Sequence, residues 1–99
     1  MEKLNFKFKG TEQVKNKAHV GVVASGDLEV IIKPTTNSES TLNIVTGSDG
    51  FKEVWQSVLK RFFDRYPLIA DFEINDFGAT PGVVNLRLTQ AMEALEDEK

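Results

Sequence analysis

The chain has 99 residues, of which 40% are hydrophobic and 27% charged, which is the composition of one small folded domain, expected to span residues 1–99. Twelve Lys and Arg residues stand against fifteen Asp and Glu, giving a formal charge of -3, and without a positive excess the sequence predicts no nucleic-acid partner. No apolar run approaches the roughly 20 residues that span a bilayer, and the N-terminus lacks the apolar core of a signal peptide, so we expect a cytoplasmic protein with no membrane partner.

The first half of the chain is dominated by short segments that predict β-strands. Four segments share an alternating or apolar pattern typical of strands: 4–8, 19–24, 28–32 and 41–46. The polar segments 10–17 and 35–40 predict loops between them. The second and third strands are separated by Ser25-Gly26-Asp27, and two apolar runs around such a Gly-centred segment predict a β-hairpin.

An amphipathic helix is predicted after Gly50, because apolar residues recur at steps of three and four from Phe51 to Tyr66. Ser48 or Asp49 is expected to cap its N-terminus, and the proline that follows Tyr66 is expected to end it. Aromatic residues lie on this apolar stripe, and we interpret the stripe as a core-facing side rather than a ligand pocket.

The remainder of the chain predicts a fifth strand and a second helix. Residues 69–75 alternate as a half-buried strand, and Thr80-Pro81 has the pattern of an N-cap followed by Pro at the first helical position. The segment 83–88 also fits a short strand before a shorter helix, but we favour a helix throughout. The sequence therefore predicts an α+β fold, a two-layer domain in which a mainly antiparallel sheet of about five strands packs against two helices.

The chain offers few of the residues on which enzyme chemistry depends. It has no Cys and one His, His19, which excludes disulfides and thiol nucleophiles and gives no support to a zinc site or a Ser-His triad. We therefore assign no catalytic residue and no metal ligand, and we interpret His19 as a surface or hydrogen-bonded residue.

The most accessible hydroxyl is expected at Ser25, at the tip of the predicted hairpin. Gly26 leaves this tip open and allows a positive φ, and Asp27 can bond to turn amides. From the residues alone, an ordinary turn is the simpler interpretation. The other is a covalent attachment point, because modification by another enzyme requires exposure rather than a neighbouring base. Residues 76–82 similarly predict a tight strand-to-helix loop, with phosphate binding as the weaker alternative because no phosphate-loop pattern is present.

Two long motifs carry a family resemblance. Residues 20–30, VGVVASGDLEV, and 76–84, DFGATPGVV, together resemble the acyl carrier (delta) subunit of malonate decarboxylase. The likeness in length and element order extends over nearly the whole chain. The Ser-Gly-Asp turn alone is also similar to the citrate lyase acyl carrier (gamma) subunit. Residues 9–17 and 33–40 match no pattern of the family, and nothing is transferred to them.

The resemblance implies that Ser25 bears 2'-(5''-phosphoribosyl)-3'-dephospho-CoA through a phosphodiester, making the chain a phosphoprotein. In the family the thiol of this arm holds an acetyl group, exchanges it for malonyl, and retains acetyl after CO2 leaves. A thioester carrier needs a thiol, and since this chain has no Cys the thiol must arrive with the arm. The fatty-acid acyl carrier is a poor match, because its Asp-Ser-Leu motif is absent.

The implied role is a non-catalytic carrier that presents its arm to other proteins. The expected partners are the acyl-carrier transferase and decarboxylase subunits of the complex and the prosthetic-group transferase, which would recognise the turn shaped by Gly26 and Asp27. Asp27 and Glu29 are expected to face basic residues of such partners, the alternative being that these acids only keep the domain soluble. The alternative is a non-covalent interaction module that docks by a sheet edge or by the acidic final helix, with Ser25 unmodified.

Overall fold

The computed structural model describes residues 1–97, so the last two residues of the expected domain lie outside the described part. The elements, in chain order, are β1 (Glu2–Lys9), β2 (Glu12–Gln13), β3 (Ala18–Gly21), β4 (Asp27–Lys33), β5 (Glu39–Thr46), α1 (Lys52–Arg65), β6 (Leu68–Ile69), β7 (Asp71–Phe77) and α2 (Pro81–Asp97). Five strands form one sheet in the order β1-β5-β7-β4-β3, and β2 pairs with β6 in a small parallel sheet.

The main sheet is antiparallel except for one pair. Strands β5 and β7 are parallel, and α1 lies between them in the chain, because parallel neighbours need a long crossover connection. The other three pairs, β1 with β5, β4 with β7 and β3 with β4, are antiparallel. The predicted α+β architecture, a mainly antiparallel five-stranded sheet with two helices, is confirmed.

One face of the sheet carries the core. Val30, Ile74 and Ile44 stand side by side in the register, and each is at most 1% exposed. Helix α2 packs on β3 and β4, while α1 packs on β1 and α2. The buried residues of α1 include Trp55 and Phe62, so this part of the aromatic stripe faces the core as predicted, whereas Phe51 is 50% exposed. Burial of the apolar core side chains is the main force that holds the sheet and the helices together, at about 25 cal/mol per Å² of apolar surface removed from water.

The second predicted strand, 19–24, is wrong over its last three residues. Strand β3 ends at Gly21, whose φ of 81° turns the chain out of the sheet. The following Val22 and Val23 are 56% and 55% exposed. Their β-propensity does not decide the outcome, because β3 is the edge strand and past Gly21 no register with β4 continues.

The predicted strand 69–75 is divided in the structure. Ala70 separates β6 from β7, and the buried Ser40 hydroxyl holds this break by donating to the Leu68 carbonyl (2.7 Å) and accepting from the Ala70 N–H (2.9 Å). The predicted loop 10–17 contains the short β2, because the Glu12 N–H donates to the Pro67 carbonyl at 3.0 Å. Neither contact has a local sequence signal.

The predicted cap of α1 is also wrong, whereas that of α2 is confirmed. Phe51 occupies the N-cap position of α1 without a side-chain cap bond. The Ser48 N–H donates to the Thr46 hydroxyl, and the Asp49 carboxylate lies 3.6 Å from the N-terminal ammonium. At α2 the Thr80 hydroxyl accepts from the Val83 N–H at 3.3 Å. Helix α2 covers residues 83–88, so the strand alternative for that segment is excluded.

Candidate functional site

Ser25 lies in a tight turn between β3 and β4. The Asp27 N–H donates to the Ala24 carbonyl (3.0 Å) and closes a four-residue turn, in which Gly26 takes the positive φ of 76° that the third position of a type II turn requires. Ser25 is exposed, and within residues 1–97 its hydroxyl has no hydrogen-bond partner. The predicted hairpin tip is confirmed, while the role of Ser25 as an attachment point stays a prediction.

The two long sequence motifs meet at this turn. The Gly26 N–H donates to the Phe77 carbonyl at 2.7 Å, and a Cβ on Gly78 would lie 3.8 Å from the Gly26 nitrogen. A shallow depression of about 460 Å³ lies between the turn and its neighbours, lined by Val23, Ala24, Ser25, Gly47, Ser48, Phe77 and Gly78. Ser25 therefore lines an open hollow formed by three segments of the chain, rather than lying on an isolated loop.

The loop 76–82 is organised by an internal carboxylate. Asp76 is 3% exposed, and its side chain accepts from the Thr46 hydroxyl (2.8 Å) and the Ala79 N–H (2.9 Å). These bonds close the loop, and the Ala79 N–H is already used rather than free for an anion. The structural interpretation of the loop is thus favoured over phosphate binding.

Asp27 is tied to helix α2 through Arg87. The guanidinium donates from Nε to Oδ1 (2.9 Å) and from Nη2 to Oδ2 (2.6 Å), a two-pronged geometry that is stronger than a single bond. Both side chains are mostly covered, with 19% and 25% exposure. Hydrogen bonds from Arg87, and secondly from the Leu28 N–H, lower the pKa of Asp27. Arg87 was not predicted as part of the site, because a partner 60 residues away leaves no spacing signal.

Glu29 is also bonded within the chain. Asn75 donates to its Oε1 at 2.9 Å, and His19 Nε2 lies 2.8 Å from its Oε2, so the interpretation of His19 as a hydrogen-bonded residue is confirmed. The Asn75 bond, and secondly the His19 bond, lower the pKa of Glu29. Contact of Asp27 and Glu29 with basic residues of partners stays a prediction, and each acid already has a partner in this chain.

The Asp27–Arg87 pair predicts an acid-dependent contribution to stability. Because the pKa of Asp27 in the folded chain lies below its ordinary value of about 3.9, the contribution is present above that value and is lost as the pH falls through the lowered pKa. Asp27→Asn should therefore be less stable than the parent at pH 7 and should lose less stability on acidification. Urea unfolding at pH 7, 5, 4 and 3, followed by Trp55 fluorescence, measures this difference.

A matched control is available in Asp64. Its ion pair with Lys60 at 3.0 Å is exposed, with 70% and 68% of the two side chains accessible, and such surface pairs add little to stability. Asp64→Asn should follow the parent at all four pH values. Equal acid sensitivity of Asp27→Asn and the parent would show that the Arg87 contact does not stabilise the fold.

The surface near Ser25 includes exposed apolar side chains. Val22 and Val23 immediately precede the turn, and Phe51 and Val54 at the start of α1 are 50% and 43% exposed.

Among residues 1–97, no group of three or more His, Cys, Asp or Glu residues is arranged to hold a metal ion. In the same part of the chain, no helix is long and apolar enough to cross a membrane.

Comparison with known proteins gives one consistent family. Residues 15–95 match the family model of the malonate decarboxylase delta subunit (MdcD). The malonate decarboxylase acyl carrier protein of Stutzerimonas stutzeri (strain A1501) is 44% identical over 94 residues, which cover 94% of this chain and 95% of the relative. That of Azotobacter vinelandii (strain DJ / ATCC BAA-1303) is 41% identical over 98 residues, covering 98% of this chain and 99% of the relative.

A solved structure agrees with these relatives. A chain in the crystal structure of a Pseudomonas malonate decarboxylase hetero-tetramer in complex with malonate superposes with a TM-score of 0.91 and 41% identity, over 96% of this chain and 99% of that chain. Sequence and fold thus give the same answer over nearly the full length. The protein belongs to the malonate decarboxylase delta subunit family, whose members named above are acyl carrier proteins.

Proposed function

We propose that this chain is the acyl carrier subunit of a malonate decarboxylase and carries acetyl and malonyl thioesters on a 2'-(5''-phosphoribosyl)-3'-dephospho-CoA arm attached to Ser25. The observation that supports the attachment is the geometry of the turn, where an exposed serine hydroxyl without a partner among residues 1–97 lies at the edge of an open hollow. The relatives carry the name of acyl carrier, and the absence of Cys requires a thiol supplied by the arm.

The residues around Ser25 fit such a group. No heavy atom outside its chain neighbours lies within 4 Å of a Cβ placed on Gly26, so the space next to Ser25 on this side of the turn is open. Gly26 and Asp27 then serve as the turn that this transferase recognises, with Arg87 holding Asp27 in place. The arm supplies the thiol, and the chain itself breaks no bond of the substrate.

The other serines of the predicted loops are less suitable for attachment. Ser40 lies in β5 rather than in the predicted loop 35–40, because that strand begins at Glu39. It is fully buried, and its hydroxyl is already bonded to β6 and to Ala70. Ser48 is partly covered, whereas Ser38 is exposed but lies in the loop before β5. Exposure together with the hollow distinguishes Ser25 from all three.

Intact mass of the chain from its native host tests the proposal. We expect the mass of the chain plus one phosphoribosyl-dephospho-CoA group, with a single modified peptide that contains Ser25. Protein made without the maturation enzymes is the control and should have the unmodified mass. An unmodified chain in assembled, active complex would overturn the proposal and favour the non-covalent interaction module.

The proposed partners are the transferase and decarboxylase subunits of the complex, in the cytoplasm. The related chain belongs to a hetero-tetramer, which supports assembly with other subunits. A carrier that visits several of them is expected to use modest contact areas, and the exposed Val22 and Val23 beside Ser25 offer apolar surface for such a contact.

A further inference from the structure

An apolar pocket of about 330 Å³ lies between the N-terminal ends of α1 and α2. Its apolar wall consists of Phe51, Val54, Trp55, Val58, Ala79 and Val84. Thr46 and Asp76, which are hydrogen-bonded to each other, form a polar end. A pocket of this size, mostly apolar with a few polar groups, is typical of a site for a small organic ligand.

The pocket adjoins the hollow beside Ser25, because Ser48 and Gly78 line both. A group fixed to the Ser25 hydroxyl needs no partner protein to enter the pocket. It remains at a high effective concentration there because it is tethered.

The wall of the pocket is left open to water in the chain alone. Phe51 and Val54 are 50% and 43% exposed at its mouth, whereas Trp55 is 5% exposed at its base. Covering such apolar surface is favourable, at about 25 cal/mol per Å². An apolar segment of a tethered arm is stabilised when it covers this surface, and it can dissociate because the mouth of the pocket is open.

We propose that this pocket receives the pantetheine and thiol end of the arm between its visits to partner subunits. The inference rests on the proposed function, since it needs an arm on Ser25. The apolar carbons of the pantetheine pack against Val54 and Trp55, and the amide groups of the pantetheine lie toward the polar end of the pocket at Thr46. A thioester held there is shielded from water and from unrelated nucleophiles.

The reactivity of the arm's thiol tests the inference directly. Because the chain has no Cys, a thiol reagent such as dithionitrobenzoate reads only the arm in the loaded, deacylated protein. Val54→Asp places a charge at the mouth of the pocket, and we expect the thiol to react about threefold faster or more as the arm shifts into solvent.

Leu86→Asp is the matched control. Leu86 is 51% exposed and lies outside the pocket, so the same change of charge should leave the thiol rate at the parent value. Circular dichroism of both variants checks that the fold is intact. An equal rate in the parent and both variants, or an equal rise in both, would overturn the inference.

Trp55 supplies a second readout that does not involve activity. It is the one tryptophan of the sequence, so its emission should shift between the unloaded and the loaded chain, and Val54→Asp should abolish this shift. The intact mass of each sample distinguishes the two failures. A mass without the arm contradicts the proposed function, whereas a loaded chain with unchanged emission and thiol rate contradicts only the pocket.

Discussion

Replacing Ser25 with alanine is expected to abolish loading of the arm and, with it, the decarboxylase activity of the assembled complex. The hydroxyl removed is the proposed acceptor, and no other atom of the turn can form the phosphodiester. The fold should be unaffected, since an exposed side chain without a hydrogen-bond partner among residues 1–97 changes the free energy of unfolding by less than about 0.5 kcal/mol when truncated. Loading is measured by intact mass after incubation with the prosthetic-group transferase.

Ser38→Ala provides the comparison for this experiment. Ser38 is an exposed loop serine that lies away from the hollow, so its variant should load and support activity like the parent. Urea unfolding of both variants should give the parental midpoint. Recovery of labelled arm on the Ser25→Ala chain would place the attachment elsewhere and would contradict the assignment.

Periodicity predicted the main elements because one sheet face and one stripe of each helix are buried. The alternation in β4, where Leu28, Val30 and Ile32 are all fully buried, and the three-and-four spacing of α1 are direct consequences of that burial. Periodicity does not contain the pairing of strands. The parallel contact of β5 with β7 and the insertion of β7 between β5 and β4 depend on contacts between residues far apart in the chain.

The structure departs from the local pattern at two places. Asp49 has a good capping side chain, but α1 begins at Lys52 with Phe51 at the N-cap position, so Asp49 lies outside the cap. Ala70 interrupts an alternating segment because the Ser40 hydroxyl accepts from its N–H. The break at Ala70 depends on a residue 30 positions away, which no local pattern describes.

The candidate site could be predicted only where its residues are adjacent in the sequence. Ser25, Gly26 and Asp27 are adjacent, and turn chemistry together with the family motifs identified them. The contact of Arg87 with Asp27 and the apolar pocket were missed, because each is formed by residues from separate elements. The aromatic stripe of α1 was predicted to face the core, which is correct for Trp55 but not for Phe51, which lies at the mouth of a pocket.

Replacing Gly21 with alanine is expected to produce the largest loss of stability among the substitutions near the site. Gly21 has a φ of 81°, and a Cβ there would lie 2.0 Å from the Leu28 carbonyl oxygen. Backbone atoms cannot rotate away as a side chain can, so β3 and β4 must move apart where Gly21 pairs with Glu29. We expect a loss of about 2–4 kcal/mol in the free energy of unfolding.

Gly26→Ala separates the two causes of this loss. Gly26 has a similar φ of 76° but open space around it, so alanine there should cost only the left-handed conformation, about 1–2 kcal/mol. The difference between the two variants, measured by urea unfolding with Trp55 emission, is then the contact with the Leu28 carbonyl. The close approach of Gly21 to the Leu28 carbonyl fixes the direction in which the chain leaves β3. Gly21→Ala should therefore also displace Val22 to Ser25 and slow loading of the arm, whereas Gly26→Ala should slow it less. If Gly21→Ala were no less stable than Gly26→Ala, the close approach of β3 to Leu28 would not control the position of the Ser25 turn.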